Sequence, residues 1–215
     1  MAFVVAVAQR KGGAGKSTVA ATLATTLAAA GRRVALLDTD PQQSLGRWNT
    51  LREGQAKATP LTFESPAGWR IPATLDRLKP SHDLLLLDTP PHADTDSRIA
   101  IRAADLVLVP LQPSLADLWA LEATLEQARA ERRRVMLLLN RASASGKLRD
   151  RVVAEIARRE LPLLLPALGN RTAFAAAFAE GLGVAEAAPR GAAAAEARAL
   201  AEAVETLLRQ HGMTR

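Results

Sequence analysis

Gln9-Arg10-Lys11-Gly12-Gly13-Ala14-Gly15-Lys16-Ser17-Thr18 is the stretch that decides the fold. It follows an unbroken apolar run, Phe3–Ala8, of the kind a strand buried on both faces shows. It leads into Ser17–Ala30, a segment of good helix formers with Gly31 at its C-terminal stop. Strand, glycine loop, Gly-Lys-Ser and helix in that order form a phosphate-binding loop. Glycines let successive backbone N–H groups turn inward on phosphate oxygens, and the helix adds its positive N-terminal end. Gly12, Gly13, Ala14, Gly15, Lys16, Ser17 and Thr18 are therefore the candidate nucleotide cradle. Lys16 should reach the β- and γ-phosphates of ATP, and the Ser17 hydroxyl should ligate Mg²⁺. One position departs from the general G-x-x-x-x-G-K-[ST] pattern. Its first glycine falls on Arg10, and a second lysine, Lys11, stands beside it.

Outward from this loop, strand-like and helix-like segments alternate. Strands are expected at 33–37, 61–64, 83–87, 106–109, 135–139 and 161–165, the last an edge strand because of Pro162. Helices are expected at 44–51, 71–78, 114–129, 147–159, 172–180 and 192–209. Residues 53–60 read as the most flexible surface stretch. The alternation implies an α/β fold: a doubly wound, mostly parallel sheet with helices on both faces, in one P-loop domain over residues 1–215.

Two further strand ends carry acids: Leu36-Leu37-Asp38-Thr39-Asp40-Pro41-Gln42 and Leu86-Leu87-Asp88-Thr89-Pro90-Pro91. In an open α/β sheet ligands sit at the carboxyl ends of strands, so these acids should face the phosphate loop. A strand-end aspartate taken alone is as readily a turn or cap residue. Downstream of a P-loop, an apolar strand ending in Asp is placed to orient Mg²⁺ and its waters. Asn140 ends a further strand, at Leu139-Asn140-Arg141, where a plain turn asparagine is the alternative.

These motifs together resemble the ParA/MinD superfamily of deviant Walker A ATPases, and most closely the small ParA-type partitioning ATPases without an N-terminal helix-turn-helix. Lys-Gly-Gly-x-Gly-Lys-Ser-Thr and Asp-x-Asp-Pro-Gln-x-Ser carry the resemblance. It implies that Lys11 reaches across an ATP-dependent homodimer to the partner's nucleotide, where it would act as an arginine finger does. It implies that Asp40 orients the attacking water, that Asp38 supports the metal and switch region, and that Asp88 is the Walker B carboxylate. Thr89–Asp94 would be the second switch loop, and Asn140 would read the adenine edge. Trp48 reads as packing. The expected partners are a second copy, nonspecific DNA and a ParB-like or cargo-adaptor activating protein.

Composition narrows the relatives. The chain has 215 residues, no cysteine and no tyrosine. Cluster-bearing nitrogenase-type proteins, cysteine-dependent arsenite ATPases and tyrosine-cluster kinases are thereby excluded. His82, His92 and His211 have no metal-ligand spacing. The apolar N-terminal run is short and lacks a preceding basic region, and the acid-bearing tail lacks the basic amphipathic helix of MinD, so no membrane partner is expected. The protein should be cytoplasmic and nucleoid-associated.

The net charge is +6, and residues 132–171 hold ten Lys/Arg against three acids. Such a run suits a polyanion or is simply a solvated surface. By resemblance, Arg171 (before Gly181-x-x-Val184) and Arg190 (in Pro-Arg-Gly) are the first candidate DNA contacts. Lys147, Arg149 and Arg151 come next. Two other readings stay open: a nucleotide-switch scaffold that does not use DNA, and a ligase of the dethiobiotin synthetase type.

Overall fold

The computed structural model describes residues 2–91 and 95–213, with side chains to residue 210. Seven strands form one sheet in the order β3-β2-β4-β1-β5-β6-β7. They are β1 (Phe3–Val7), β2 (Val34–Asp38), β3 (Thr62–Glu64), β4 (Leu84–Asp88), β5 (Leu106–Leu111), β6 (Arg134–Leu139) and β7 (Leu163–Leu164). Every pairing is parallel. Each strand must therefore return through a crossover, and helices cover both faces.

Side chains alternate between the faces with period two. Phe3, Val5 and Val7 of β1 pack under α1 (Lys16–Ala29) and the C-terminal helices α8 (Thr172–Ala179), α9 (Val184–Ala187) and α10 (Ala192–Met213). Val4 and Ala6 face α3 (Ile71–Leu78) and α4 (Thr95–Ala103). On the same side, Val107, Val109, Leu137 and Leu139 meet α5 (Leu115–Ala120), α6 (Glu122–Ala130) and α7 (Lys147–Arg158). α2 (Ser44–Arg52) adds Leu45 and the buried Trp48 to the first face. Trp48 is packing, as expected: its ring lies 6.2 Å from that of Phe178, and its Nε1 donates to the Leu182 carbonyl.

The outcome departs from the sequence reading in four places. The helix expected over 114–129 is two segments that meet at Leu121, which keeps helical angles (φ −65°, ψ −35°), so the run bends without unwinding. α4 and α9 were not anticipated. α4 is short and polar and buries only Ser97, Ala100 and Ile101, a faint helical signal. The edge strand shrinks to Leu163–Leu164, with the Pro162 carbonyl still accepting from the Leu137 N–H. Finally, the end of 53–60 is pinned, because the Thr59 N–H donates to Glu186 at 2.7 Å and the Thr59 carbonyl accepts from Arg52. Of the loop Thr89–Asp94, residues 92–94 lie outside the described residues, His92 among them, as does the side chain of His211.

The register places the site. Asp88 pairs level with Val7 of β1 on one side and with Asp38 of β2 on the other. Both acidic strand ends and the start of the phosphate loop thus share one edge of the sheet.

Candidate functional site

The loop from β1 to α1 turns on Gly13 (φ 76°) and Gly15 (φ 86°), conformations that glycine alone adopts without strain. A side chain on Gly12 or Gly13 would meet nothing within 4 Å, so the loop opens onto free space on that side. Gly15 is crowded instead: a Cβ there would come within 2.4 Å of Asn140 Nδ2. That amide donates to the Ala14 carbonyl at 2.8 Å, while Asn140 Oδ1 accepts from the Arg141 N–H at 3.0 Å. The structure therefore brings Asn140 to the site with its side chain holding the backbone of the loop. From the other side, Gln9 Oε1 accepts from the Thr124 hydroxyl and the Lys11 N–H.

Lys16 begins α1 and is buried. Burial pushes its ammonium pKa down, and the Asp88 and Asp40 charges oppose that shift. Asp88 is fully buried, and neither of its carboxylate oxygens has a hydrogen-bond partner of good geometry among the described residues. Burial raises its carboxyl pKa to about 7, against the pull of the Ser17 hydroxyl and the Lys16 charge. A buried unpartnered carboxylate costs free energy unless a cation or hydrogen bonds satisfy it. Hard oxygen donors at Asp88 and Ser17, beside an open phosphate cradle, fit Mg²⁺.

Asp38 is used differently. Its Oδ1 accepts from the Asp40 N–H at 3.0 Å and its Oδ2 from the Gly46 N–H at 2.9 Å. Burial raises its pKa, and these backbone bonds counter the rise. Asp38 thus clamps the turn that leads into α2, each oxygen accepting one backbone N–H and keeping a lone pair for a metal or its water. Asp40 accepts from the Gln42 N–H at 2.9 Å and lines the phosphate cleft with Gln42, Ser44 and the loop. That cleft measures about 320 Å³, and its far wall includes Phe178.

Thr39 donates to the Asp88 carbonyl at 2.6 Å, and Thr89, the first residue of the expected second switch loop, donates to the Val7 carbonyl at 3.0 Å; together they lash the three strand ends. Other site residues escaped the sequence reading. Phe178 and Arg141 enter the cleft from distant segments. Asp117 is buried at the start of α5, where it pairs with Lys11 and accepts from the Ser114 hydroxyl and the Gln112 N–H. Burial alone would raise its pKa, but these donors hold it below the usual carboxylate value. Ser114-x-x-Asp117 is legible in sequence as a helix cap. Its link to a lysine 106 residues away is not.

The basic residues do not form one patch. Arg132–Arg134 lie at the start of β6, whereas Lys147 and Arg149 lie beyond its end, roughly 15–20 Å away along the strand. Arg158 and Arg159 are both paired with Glu155. Arg171 is paired with Glu196 at 2.7 Å, although 43% of its side chain is exposed, and it lines a cleft with Gly15 and Thr18 beside the nucleotide cradle. Arg149 donates to the Ala144 carbonyl. Arg151 and Arg190 are exposed.

A parallel sheet with a glycine loop after its first strand, a lysine at the head of the next helix and a buried aspartate at the level of that loop define a P-loop nucleotide-binding fold. The sequence matches the CobQ/CobB/MinD/ParA nucleotide-binding domain over residues 5–184, and the chain belongs to that family. It is 30% identical over 201 residues to the maintenance of carboxysome distribution protein A of Halothiobacillus neapolitanus, covering 91% of this chain and 92% of the relative. It is 31% identical over 183 residues to the protein ParA of Rhizobium radiobacter, covering 81% and 82%. Its fold is similar to that of the septum site-determining protein MinD of Pyrococcus horikoshii complexed with Mg-ADP, with a TM-score of 0.77 at 19% identity over 96% of this chain and 97% of that one. Among the described residues no helix is long and apolar enough to cross a membrane.

Proposed function

We propose that the chain, acting over residues 1–215 as one ATPase domain, is a ParA-type positioning ATPase. It closes as a homodimer on ATP and Mg²⁺, binds DNA without sequence preference in that state, and positions a plasmid, a chromosomal region or a protein cluster. A ParB-like or cargo-adaptor protein stimulates hydrolysis and resets it. The observation that carries this reading is the different placement of the two loop lysines. Lys16 is buried and lines the phosphate cleft, within reach of the Asp88 and Asp40 charges. Lys11 does not line that cleft; 40% of its side chain is exposed and it pairs with Asp117. A lysine in that place can serve a nucleotide other than its own.

In this reading Lys16 and the loop N–H groups hold the β- and γ-phosphates, and Ser17 and Asp88 hold the metal. Bound Mg²⁺ neutralises charge that develops on the phosphate oxygens. Asp40 orients the water that attacks the γ-phosphate. Asn140 keeps Gly15 and Ala14 in the binding conformation and borders the space for the base. Sequence relatives at 30% identity or more, among them a carboxysome-distribution protein and a ParA, support positioning over a ligase activity.

The test is ATP binding, turnover and light scattering on the wild type and Lys16→Ala. Lys16→Ala should lose tight nucleotide binding, because it removes the main charge on the phosphates. Unchanged affinity would mean that the site is elsewhere. A wild-type ATP dimer that ignores DNA even at low salt would favour the scaffold reading, to which the split of the basic run and the Arg171–Glu196 pair already lend weight.

A further inference from the structure

Two clefts adjoin the phosphate loop. One lies over Gly12–Thr18 with Asp40 and Gln42, and suits the β- and γ-phosphates. The other lies beside it, over Gly15, Thr18, Asn140 and Asn170, and suits the nucleoside. Among the described residues, three line both: Gly15, Thr18 and Arg141. A nucleotide that spans the two clefts must place its α-phosphate at that junction.

Arg141 is built to be there. Its backbone is left-handed (φ 52°), a conformation that costs a non-glycine residue free energy and that clusters at functional sites. The Asn140 side chain compensates by accepting the Arg141 N–H, and the same amide grips the Ala14 carbonyl of the phosphate loop. One side chain thus fixes the position of Arg141 relative to the cradle. The Arg141 residue is exposed, and its guanidinium makes no hydrogen bond or ion pair with a described residue. Arg171, the other cation in the nucleoside cleft, is already committed to Glu196.

We infer that Arg141 is a nucleotide-contacting residue, which donates its guanidinium fork to the α-phosphate of the nucleoside di- or triphosphate bound in the same subunit. The inference rests on the phosphate-site reading given above. A planar guanidinium suits two non-bridging phosphate oxygens, and such charge-assisted bonds are among the stronger polar contacts. ADP and ATP share the α-phosphate, so both should gain equally.

The experiment is calorimetric titration of ADP and of a non-hydrolysable ATP analogue, with Mg²⁺, into wild type, Arg141→Asn, Arg141→Lys and Lys16→Ala. Asparagine tolerates the left-handed backbone, and lysine keeps the charge but loses the fork. Arg141→Asn should weaken both nucleotides by the same factor, about 10-fold or more, and Arg141→Lys by about 3-fold. Melting curves that match the wild type assign the loss to the contact; if Arg141→Asn melts early, Arg141→Lys carries the test. Unchanged affinities overturn the inference. So does weakening of the ATP analogue alone, which would place Arg141 on a γ-phosphate or on the partner's nucleotide. Lys16→Ala separates the two levels: if it binds as tightly as the wild type, the phosphate site itself has been misread.

Discussion

Lys11 on the phosphate loop is ion-paired with Asp117 of its own chain, and the two partners differ sharply in environment. The Asp117 side chain is 2% exposed and that of Lys11 is 40% exposed. Asp117 is also held by the Ser114 hydroxyl and the Gln112 N–H, so the carboxylate is fixed and the lysine is the movable member. If Lys11 serves the nucleotide of a second subunit, it must give up this contact first. The pair then opposes dimerisation in the monomer.

Asp117→Asn should therefore ease ATP-dependent dimerisation. A partly exposed pair contributes up to about 1 kcal/mol and each of the two subunits must break one, so the dimer should form at roughly 10- to 30-fold lower protein concentration. Light scattering across a dilution series with a non-hydrolysable analogue reads this directly. A weaker dimer would show the reverse role, with Asp117 holding Lys11 in the reaching pose. Lys11→Ala should lose the dimer altogether.

Asp40→Ala should still bind ATP and dimerise, because it leaves the phosphate cradle and the Asp88 carboxylate intact. Turnover should fall by about 100-fold or more, the usual scale for loss of a group that orients or accepts a proton from the attacking water. Steady-state phosphate release and light scattering on the same preparation decide it. A variant that stays monomeric with ATP would assign Asp40 to assembly.

How much of this was legible in the sequence depends on distance along the chain. The phosphate loop is one contiguous decade of residues with its strand and helix attached, so the topology and the cradle could be read together. Asp38 and Asp88 were legible because parallel register sets strand ends level, as Asp38↔Asp88 does. Asp117, Phe178 and Arg141 were not read as site residues, because tertiary packing alone brings Asp117 to Lys11 and Phe178 and Arg141 to the cleft. Gly181 shows a subtler limit. The sequence suggested it as part of an arginine-to-glycine pattern tied to DNA. In the fold it lies at φ 73°, with a Cβ position 2.4 Å from the Arg52 backbone nitrogen, so it is first of all a close contact between α2 and the segment before α9.

That contact surrounds a buried ion pair. Arg52 and Glu186 meet at 2.6 Å with side-chain exposures of 6% and 3%. Arg52 also donates to the Gly181 and Thr59 carbonyls, and Glu186 accepts from the Gly183 and Thr59 N–H groups. Removing one partner leaves the other charged and buried, which costs about 3–5 kcal/mol. Glu186→Ala and Arg52→Ala should each destabilise by that order in urea unfolding, and the double variant by much less than the sum. Burial alone would raise the Glu186 pKa; Arg52 and the two N–H groups override it and hold the carboxyl below its ordinary 4.5. The native state then binds the proton less readily than the unfolded chain. The contribution is full above about pH 4.5 and fades as pH falls towards the folded value. A wild-type advantage over Glu186→Ala that stayed constant down to pH 2 would contradict this account.

DNA binding is the part of the proposal that the structure constrains most usefully by subtraction. Arg158 and Arg159 are committed to Glu155, and Arg171 both pairs with Glu196 and borders the nucleotide clefts. Arg171→Ala would therefore confound DNA with nucleotide effects. Arg190 and Lys147 are exposed, and neither lines the two clefts over the phosphate loop, so they give the cleaner test. Binding by the ATP dimer should be independent of sequence and should fall steeply with salt, because released counterions dominate it. Each lost phosphate contact should reduce the log–log salt slope by about 0.9, or about twice that when both subunits of a dimer lose it. Arg190→Ala and Lys147→Ala should show that change with ATP affinity and dimerisation unaltered. Fluorescence anisotropy with a labelled duplex at several salt concentrations measures the slope. If both variants keep the wild-type slope, the phosphate contacts lie on Arg149 and Arg151 or on the Arg132–Arg134 end of the sheet. Triple replacement of Arg132, Arg133 and Arg134 would then separate the two ends of the sheet.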